Sequence, residues 1–369
     1  MYLKDIKLIN FRNYDKLSLE FSKNINIIYG NNGQGKTNLL ESLYVLGLTK
    51  SHRSYIDNNL IKKDKNNLKI IGNIYINKIK NKLEIDINEK NKVLKIDNNE
   101  INKISNYISK MNIIIFCPDD LQLIKGSPSE RRNFINLELS QLYSDYYVVL
   151  NDYNKILKIR NEYLKNNNYD ESYFQIITNY LVDKAISLYK LRNSFILRLN
   201  ENISEIYKNL TGLEQFNIKY KTSIELDFEN KENMKYQFYE ELNKIKEKEL
   251  KYKNTLIGPH RDELEFYIKD KNIKLYGSQG QQRMAILAIK LAEIDIFKKY
   301  TNDYPILLLD DVFSELDKKK KNNLLKYIND DIQVLITTTD LSNINKKLLD
   351  RSKRIKIDDG KILNIIEVV

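Results

Sequence analysis

One run of eight residues constrains this chain more than any other feature. Gly30-Asn31-Asn32-Gly33-Gln34-Gly35-Lys36-Thr37 fits the pattern G-x-x-x-x-G-K-[ST]. Before it lies the strand-like run Ile25-Asn26-Ile27-Ile28-Tyr29. After it Leu39, Leu40, Leu43 and Leu46 recur at helical spacing, and Gly47 is expected to end the helix. Strand, glycine loop and helix together make a phosphate-binding device. The glycines let successive backbone N–H groups close on anionic oxygens. The new helix adds unpaired N–H groups and the positive end of its dipole. Lys36 is then placed for the β- and γ-phosphates and the Thr37 hydroxyl for Mg²⁺, so the whole run is expected to bind ATP.

A phosphate loop of this kind needs a carboxylate partner. Ile306-Leu307-Leu308-Leu309-Asp310-Asp311 supplies an apolar strand that ends in two acids, the place where α/β folds put ligands. Asp310 is expected to hold Mg²⁺, directly or through water, and Asp311 to polarise the attacking water. The wide separation of the two sites in sequence, and the lack of an N-K-x-D guanine reader, point away from a small GTPase-like domain.

The intervening sequence changes texture twice. Leu3–Ile9 and Leu17–Phe21 alternate as strands do. Leu68–Ile76, Leu83–Ile87, Val93–Ile96 and Met111–Phe116 follow suit. From about 129 to 210, apolar residues follow a three-and-four spacing broken by the turn-forming cluster Asn166–Asp170. Two long helices folded into a hairpin arm are expected there. Leu213–Phe228 reads as mixed strand and Asn233–Tyr252 as a charged helix. Leu264–Ile268 with Ile273–Tyr276 reads as a hairpin, followed by a helix from about Gly280. Ile306–Leu309 and Val334–Thr337 read as parallel strands buried on both faces. The expected fold is α/β: an ABC-type P-loop ATPase head, mixed sheet with helices, made of residues 1–125 and 251–369, with a helical arm at 126–250.

Composition adds boundaries. The chain has 369 residues, enough for two or three domains. Its apolar runs stop well short of a membrane span, and Met1-Tyr2-Leu3-Lys4-Asp5 lacks a signal-peptide core, so a cytoplasmic protein without membrane contact is expected. One cysteine, Cys117, excludes an internal disulfide. The net charge of +11 is mild support for a polyanionic partner such as DNA, set against a composition rich in Asn, Lys, Ile and Tyr throughout.

Further segments carry a family resemblance. Ser278-Gln279-Gly280-Gln281-Gln282 is similar to the ABC signature loop, and Asp311-Val312-Phe313-Ser314-Glu315-Leu316-Asp317 to the D-loop. Leu8–Tyr14, Gly126–Arg132 and Leu256–Asp262 complete a set that spans most of the chain and resembles the RecF family of recombination mediators, related to the Rad50 and SMC heads. The resemblance implies an ATP-dependent homodimer in which the phosphate loop of one copy faces Ser278 of the other. It also implies DNA binding, with gapped or single/double-strand junction DNA as substrate, and a RecR-type mediator as partner. The residues agree with part of this. Ser278 with Gln281 three positions on forms a capping box, which opens a helix toward an anion. Double-stranded DNA held through Lys and Arg contacts to phosphates would bind with strong salt dependence and little sequence preference.

The chain departs from the wider ABC pattern in three places. Asp311 stands where glutamate is usual, which implies slow ATP hydrolysis and leaves open whether the chain works as an enzyme. Thr337-Thr338-Thr339-Asp340 replaces a strand ending in histidine, so Thr339 and Asp340 are both open as γ-phosphate sensors. Pro118-Asp119-Asp120 occupies the place of a Q-loop glutamine. Arg12 is a candidate phosphate contact or a surface arginine on a hairpin. His52-Arg53 faces nucleotide, DNA or solvent. Arg131 and Arg132 pair with acids or with DNA, and His260-Arg261-Asp262 has no assigned chemistry. The rival function is a P-loop kinase or other nucleotide-dependent transferase. A kinase needs neither the Ser278 loop nor the D-loop.

Overall fold

The computed structural model describes every residue other than 167–169, 214, 315, 368 and 369. The centre of the Asn166–Asp170 turn cluster and Glu315 of the D-loop-like segment therefore lie outside the described residues. The chain divides into two compact units. One contains Met1–Asp120, Asn209–Gly212 and Leu287–Val369; the other contains Leu121–Lys208 and Leu213–Ile286. Residues 251–286, expected in the head, thus cluster with the helices.

The first unit is built on two sheets. One is antiparallel, in the order Tyr14–Glu20, Tyr2–Phe11, Asn67–Ile76, Ile79–Asn88, Lys92–Ile96 and Asn99–Glu100. Its strands alternate buried and exposed positions, as half-buried strands must. The other runs Lys361–Ile366, Ser352–Asp358, Ile25–Tyr29, Val334–Thr338, Ile306–Leu309 and Ile113–Phe116. All its pairings are parallel except the edge hairpin of Ser352–Asp358 with Lys361–Ile366. Ile306–Leu309, Val334–Thr338 and Ile113–Phe116 are buried along their whole length, which explains their unbroken apolar sequence. Parallel pairing brings the carboxyl ends of Ile25–Tyr29 and Ile306–Leu309 to one edge, with only Val334–Thr338 between them. That is how the glycine loop and the acidic pair, remote in sequence, come together.

The helix Lys36–Leu48 lies in this unit with Leu39, Leu40, Leu43 and Leu46 fully buried. It runs through Gly47, which was expected to end it, and closes on Thr49 in the left-handed conformation (φ 61°). Gly47 serves packing instead: a Cβ there would lie 2.6 Å from Ile113 Cδ1 and 2.9 Å from the Met111 carbonyl. Glycine lets the helix approach the strand edge.

Where a two-helix hairpin was expected, the described residues form three helices, Pro128–Leu142, Ser144–Lys165 and Glu171–Thr211, the last of which reaches into the first unit from Asn209. The break falls at Tyr143, which takes an extended backbone (φ −131°, ψ 109°), and the Tyr146 hydroxyl bridges it by donating to Asn136 Oδ1 at 2.6 Å. The helix Lys231–Tyr252 and a small antiparallel sheet of Phe216–Lys221, Glu263–Ile268 and Lys271–Asn272 complete the second unit. Among the described residues of the segment read as mixed strand, only Phe216–Lys221 is strand. Ile273–Tyr276 is a helical turn rather than the second arm of a hairpin, because the Asn272 side chain caps it by accepting from Lys274 N at 2.9 Å. Among the described residues no helix is long and apolar enough to cross a membrane.

Candidate functional site

The loop Gly30–Gly35 leaves the strand Ile25–Tyr29 and enters the helix at Lys36. Two of its glycines are required by their surroundings. At Gly30 (φ 152°) a Cβ would sit 2.2 Å from the Ile357 carbonyl oxygen. At Gly35 (φ 112°) one would meet the Asn13 side chain at 2.6 Å and the Tyr14 hydroxyl at 2.9 Å. The turn Arg12–Asn13 of the first hairpin braces the loop from outside. The Tyr14 hydroxyl donates to Gly35 O (3.0 Å) and Asn13 Nδ2 to Gln34 O (3.3 Å), while Asn38 Nδ2 donates to Asn13 Oδ1 (2.9 Å). From the far side Gly360 N donates to Gln34 O at 3.0 Å and Asp359 N to Gln34 Oε1 at 2.5 Å. Asn31, Asn32 and Gly33, between these clamps, are exposed. The Leu8–Tyr14 segment is thus the outer wall of the phosphate loop, which is why it accompanies that motif.

Lys36 folds back over the loop. Its Nζ donates to Gly30 O and Asn31 O, both at 2.7 Å. Burial lowers its pKa, and the charges of Asp311 and Asp310 oppose the shift. Thr37 Oγ1 donates to Asp310 Oδ1 at 3.0 Å, and Thr337 Oγ1 donates to the same oxygen at 2.6 Å. Burial raises the Asp310 pKa, and these two hydroxyls counter it. Asp311 follows in the left-handed region (φ 54°), a conformation unusual for a residue with a side chain. Its N–H donates to Thr337 Oγ1 at 2.9 Å and its carbonyl accepts from Ser314 Oγ at 2.7 Å. Its Oδ1 is buried without a hydrogen-bond partner. The Thr37 hydroxyl and the Asp310 carboxylate are hard oxygen donors that suit a cation such as Mg²⁺, and the bare Asp311 oxygen is an acceptor able to take a hydrogen bond from water.

Thr337 emerges as the hub of the acidic pair, since one hydroxyl serves Asp310 as donor and the Asp311 amide as acceptor. Its neighbours Thr339 and Asp340, both open as γ-phosphate sensors in the sequence, lie two and three residues further on. Asp340 caps the turn Leu341–Asn343 by accepting from Ser342 N at 3.0 Å and from Ser342 Oγ at 2.5 Å. At the Q-loop position, Asp120 Oδ2 accepts from Cys117 N at 2.7 Å and shapes the turn after Phe116.

Arg12, a candidate phosphate contact, is held within the fold. Its Nε and Nη2 donate to the two oxygens of Glu41 at 2.9 and 2.7 Å, and its Nη1 donates to Asn59 O at 2.7 Å. Glu41 is fully buried on the helix Lys36–Leu48. Burial acts to raise its pKa, but hydrogen bonds from Arg12 and Ser51 hold it below the usual carboxylate range. Arg53 reaches the same helix, donating to Asn38 Oδ1 at 3.0 Å. His52 packs edge-on to Tyr44 at 4.9 Å, and burial drops its pKa to about 4.

Ser278 lies in the second unit, exposed, at the start of the helix Gln279–Thr301. The capping box is formed in full: Gln281 N donates to Ser278 Oγ at 3.2 Å, and Ser278 N donates to Gln281 Oε1 at 2.8 Å. The segments Gly126–Arg132 and Leu256–Asp262 meet each other in that unit. Arg131 grips Glu263 through Nε and through Nη2 (2.8 Å to Oε2), and its Nη1 donates to the carbonyls of Leu123, Ile124 and Gly126. Arg132 Nη1 donates to Asp262 O at 3.0 Å. Asp262 is 1% exposed and accepts from Tyr220 Oη (2.5 Å), Ser223 N (3.0 Å) and Arg192 Nη1 (3.4 Å). His260 Nδ1 pairs with Tyr153 Oη at 2.6 Å, and burial drops its pKa to about 4. His260 and Asp262 therefore organise a polar core, while Arg261 is exposed and donates to Thr255 O at 3.3 Å.

Arg192 and the pair Arg160–Glu249 also belong to this polar core, the latter with Nη2 and Oε2 2.7 Å apart and both side chains buried. Their spacing in the sequence is the signal. Arg192 lies three residues after Tyr189 and three before Phe195, on the apolar stripe of its helix, and Arg160 is four residues after Ile156 and four before Leu164.

The family model described as RecF/RecN/SMC N terminal domain matches residues 2–363. The DNA replication and repair protein RecF of Streptococcus suis is 42% identical over 364 residues, covering 98% of this chain and 99% of the relative. A solved structure of the recombination mediator protein RecF with ATP, in the RecFOR pathway, superimposes with a TM-score of 0.91 at 32% identity, covering 99% of this chain and 98% of that one. An Smc head bound to the C-winged helix domain of ScpA, 17% identical with a TM-score of 0.54, shares the fold alone.

Proposed function

The chain belongs to the RecF family, and from that premise we propose that it is an ATP-binding recombination mediator that acts on DNA in replication and repair. The observation that carries this reading is the Thr37–Asp310 hydrogen bond at the mouth of the glycine loop. It brings together, at the carboxyl ends of parallel strands of one sheet, the residues that would hold a magnesium-nucleotide.

In this reading Gly30, Asn31, Asn32, Gly33, Gln34 and Gly35, with the amides of Lys36 and Thr37, cradle the phosphates of ATP. Lys36 leaves the Gly30 and Asn31 carbonyls to neutralise the β- and γ-phosphate oxygens. Thr37 and Asp310 hold Mg²⁺, which supplies charge neutralisation at the phosphates. Asp311 accepts a hydrogen bond from the attacking water. Its side chain is one methylene shorter than the glutamate common in the ABC class, so turnover is slow. A phosphate contact from Arg12 requires its pair with Glu41 to open.

Ser278 and the first amides of the helix Gln279–Thr301 complete the site on a second copy of the chain, so that ATP closes a homodimer and hydrolysis releases it. The closed dimer binds DNA through phosphate contacts and works with a RecR-type partner at gapped or junction DNA. Electrophoretic mobility shift of gapped duplex with and without ATP tests this. ATP-dependent retention supports it; DNA binding and dimerisation that ignore ATP overturn it.

A further inference from the structure

The loop after the helix Lys36–Leu48 presents Tyr55, 90% exposed, and Ile56, 59% exposed, at its tip. An exposed aromatic on a slack loop has no set direction. This one is held from both ends. Ser51 Oγ donates to Glu41 Oε1 at 2.5 Å and accepts from Arg53 N (2.9 Å) and Ser54 N (3.1 Å). Ser54 Oγ donates to Ile56 O (3.1 Å) and accepts from Ile56 N (3.2 Å) and Asn59 Nδ2 (3.1 Å). Arg12 Nη1 ties the far end at Asn59 O. Side chains thus close both sides of the Tyr55–Ile56 tip, and the anchor is the phosphate-loop helix itself.

The surroundings select the kind of partner. Between residues 50 and 65 the cations Lys50, Arg53, Lys62, Lys63 and Lys65 face two carboxylates, Asp57 and Asp64. Asp57 is already bound to Lys92 at 2.9 Å and Lys62 to Asp15 at 2.6 Å. Two apolar side chains are far too small a patch for a stable protein interface, which buries about 1,200 Å² or more in total. Arg53 is turned to the helix, with Nη1 3.5 Å from Glu41 Oε2, which leaves Lys50, Lys63 and Lys65 as the cations of the segment. An exposed aromatic ring on a lysine-rich segment is the combination that engages single-stranded nucleic acid: the cations follow the phosphates and the ring stacks on a base. A base in intact duplex is already stacked, so the ring adds nothing there.

We infer that Tyr55 stacks on an unpaired base of bound DNA, with Ile56 against its neighbour, and so gives the chain its preference for duplex that contains a single-stranded gap. The inference rests on the DNA-binding reading above.

The test measures ATP-dependent affinity for a fully paired duplex and for the same duplex carrying a short gap, using the wild-type chain, Tyr55→Ala and Tyr55→Phe. Stacking predicts that Tyr55→Ala weakens gapped-DNA binding by about tenfold and leaves the paired duplex unchanged. Tyr55→Phe retains the gapped affinity, and the salt dependence is the same in all three because no charge is removed. Equal losses on both DNAs, or no loss on either, overturn the inference while leaving the DNA-binding reading intact. Wild-type protein that binds neither DNA with ATP overturns that reading and the inference with it.

Discussion

Thr37 and Asp310 are separated by 273 residues, yet the Thr37 hydroxyl donates to Asp310 Oδ1 across 3.0 Å. The contact exists because two parallel strands, one ending in a glycine loop and the other in two acids, flank the same central strand. Thr337, at the end of that central strand, bonds both acids at once.

Replacing Thr337 by Val keeps the shape of the strand end but removes the hydroxyl. The Asp311 amide then has no acceptor and Asp310 loses its shorter hydrogen bond. A buried group left unsatisfied costs about 1–3 kcal/mol. Thr337→Val is expected to lower stability by that amount and to reduce ATP turnover more than ATP binding. Thermal unfolding and single-turnover hydrolysis check it.

Asp262→Ala leaves the Arg192 guanidinium buried with no carboxylate beside it. Removing one partner of a buried ion pair costs about 3–5 kcal/mol. The variant is expected to be strongly destabilised, with a protease-sensitive second unit, as limited proteolysis will read out.

Both histidines of the chain, His52 and His260, have pKa values pulled down to about 4 by burial. An unfolded histidine titrates near 6.5. Between those values the unfolded chain binds more protons than the folded one, so stability is complete above about pH 7 and falls as the pH drops from 6.5 toward 4. The loss amounts to about 2 kcal/mol per histidine by pH 5. Melting temperatures at pH 7.5 and 5 are expected to differ markedly in the wild type and less in the double variant His52→Gln/His260→Gln.

Gly30→Ala places a methyl group 2.2 Å from the Ile357 carbonyl. The loop and the strand Ser352–Asp358 cannot both keep their positions. Loss of ATP binding at least as severe as that of Lys36→Met is expected in an equilibrium nucleotide-binding assay.

The parts of the fold carried by local pattern were legible in the sequence. The strand, loop and helix around Lys36 and the buried strands Ile306–Leu309 and Val334–Thr338 are examples, because glycine placement and unbroken apolar runs leave few alternatives. What escaped depended on tertiary partners. Gly47 stays helical because a strand edge needs its missing side chain. Ile273–Tyr276 coils because Asn272 caps it. Residues 251–286 cluster with the helices through contacts such as Arg131 with Glu263. At the site, the sequence pointed to Lys36, Thr37, Asp310 and Asp311. Thr337 was hidden because its role comes from register with the neighbouring strand, which no local motif encodes. Arg12 reads in the sequence as a phosphate contact or a surface arginine on a hairpin, and its pairing with Glu41 follows only once the hairpin lies on the helix.

A nucleotide held between Lys36 and Asp310 is expected to be completed by Ser278 of a second copy. Light scattering of the full chain with Mg²⁺, with and without ATP, tests it most directly, with Ser278→Arg beside the wild type. ATP is expected to shift the wild type from the mass of one chain to that of two, while Ser278→Arg binds ATP and stays single. A Ser278→Arg chain that pairs normally on ATP would contradict it, as would a wild type that binds ATP and does not pair.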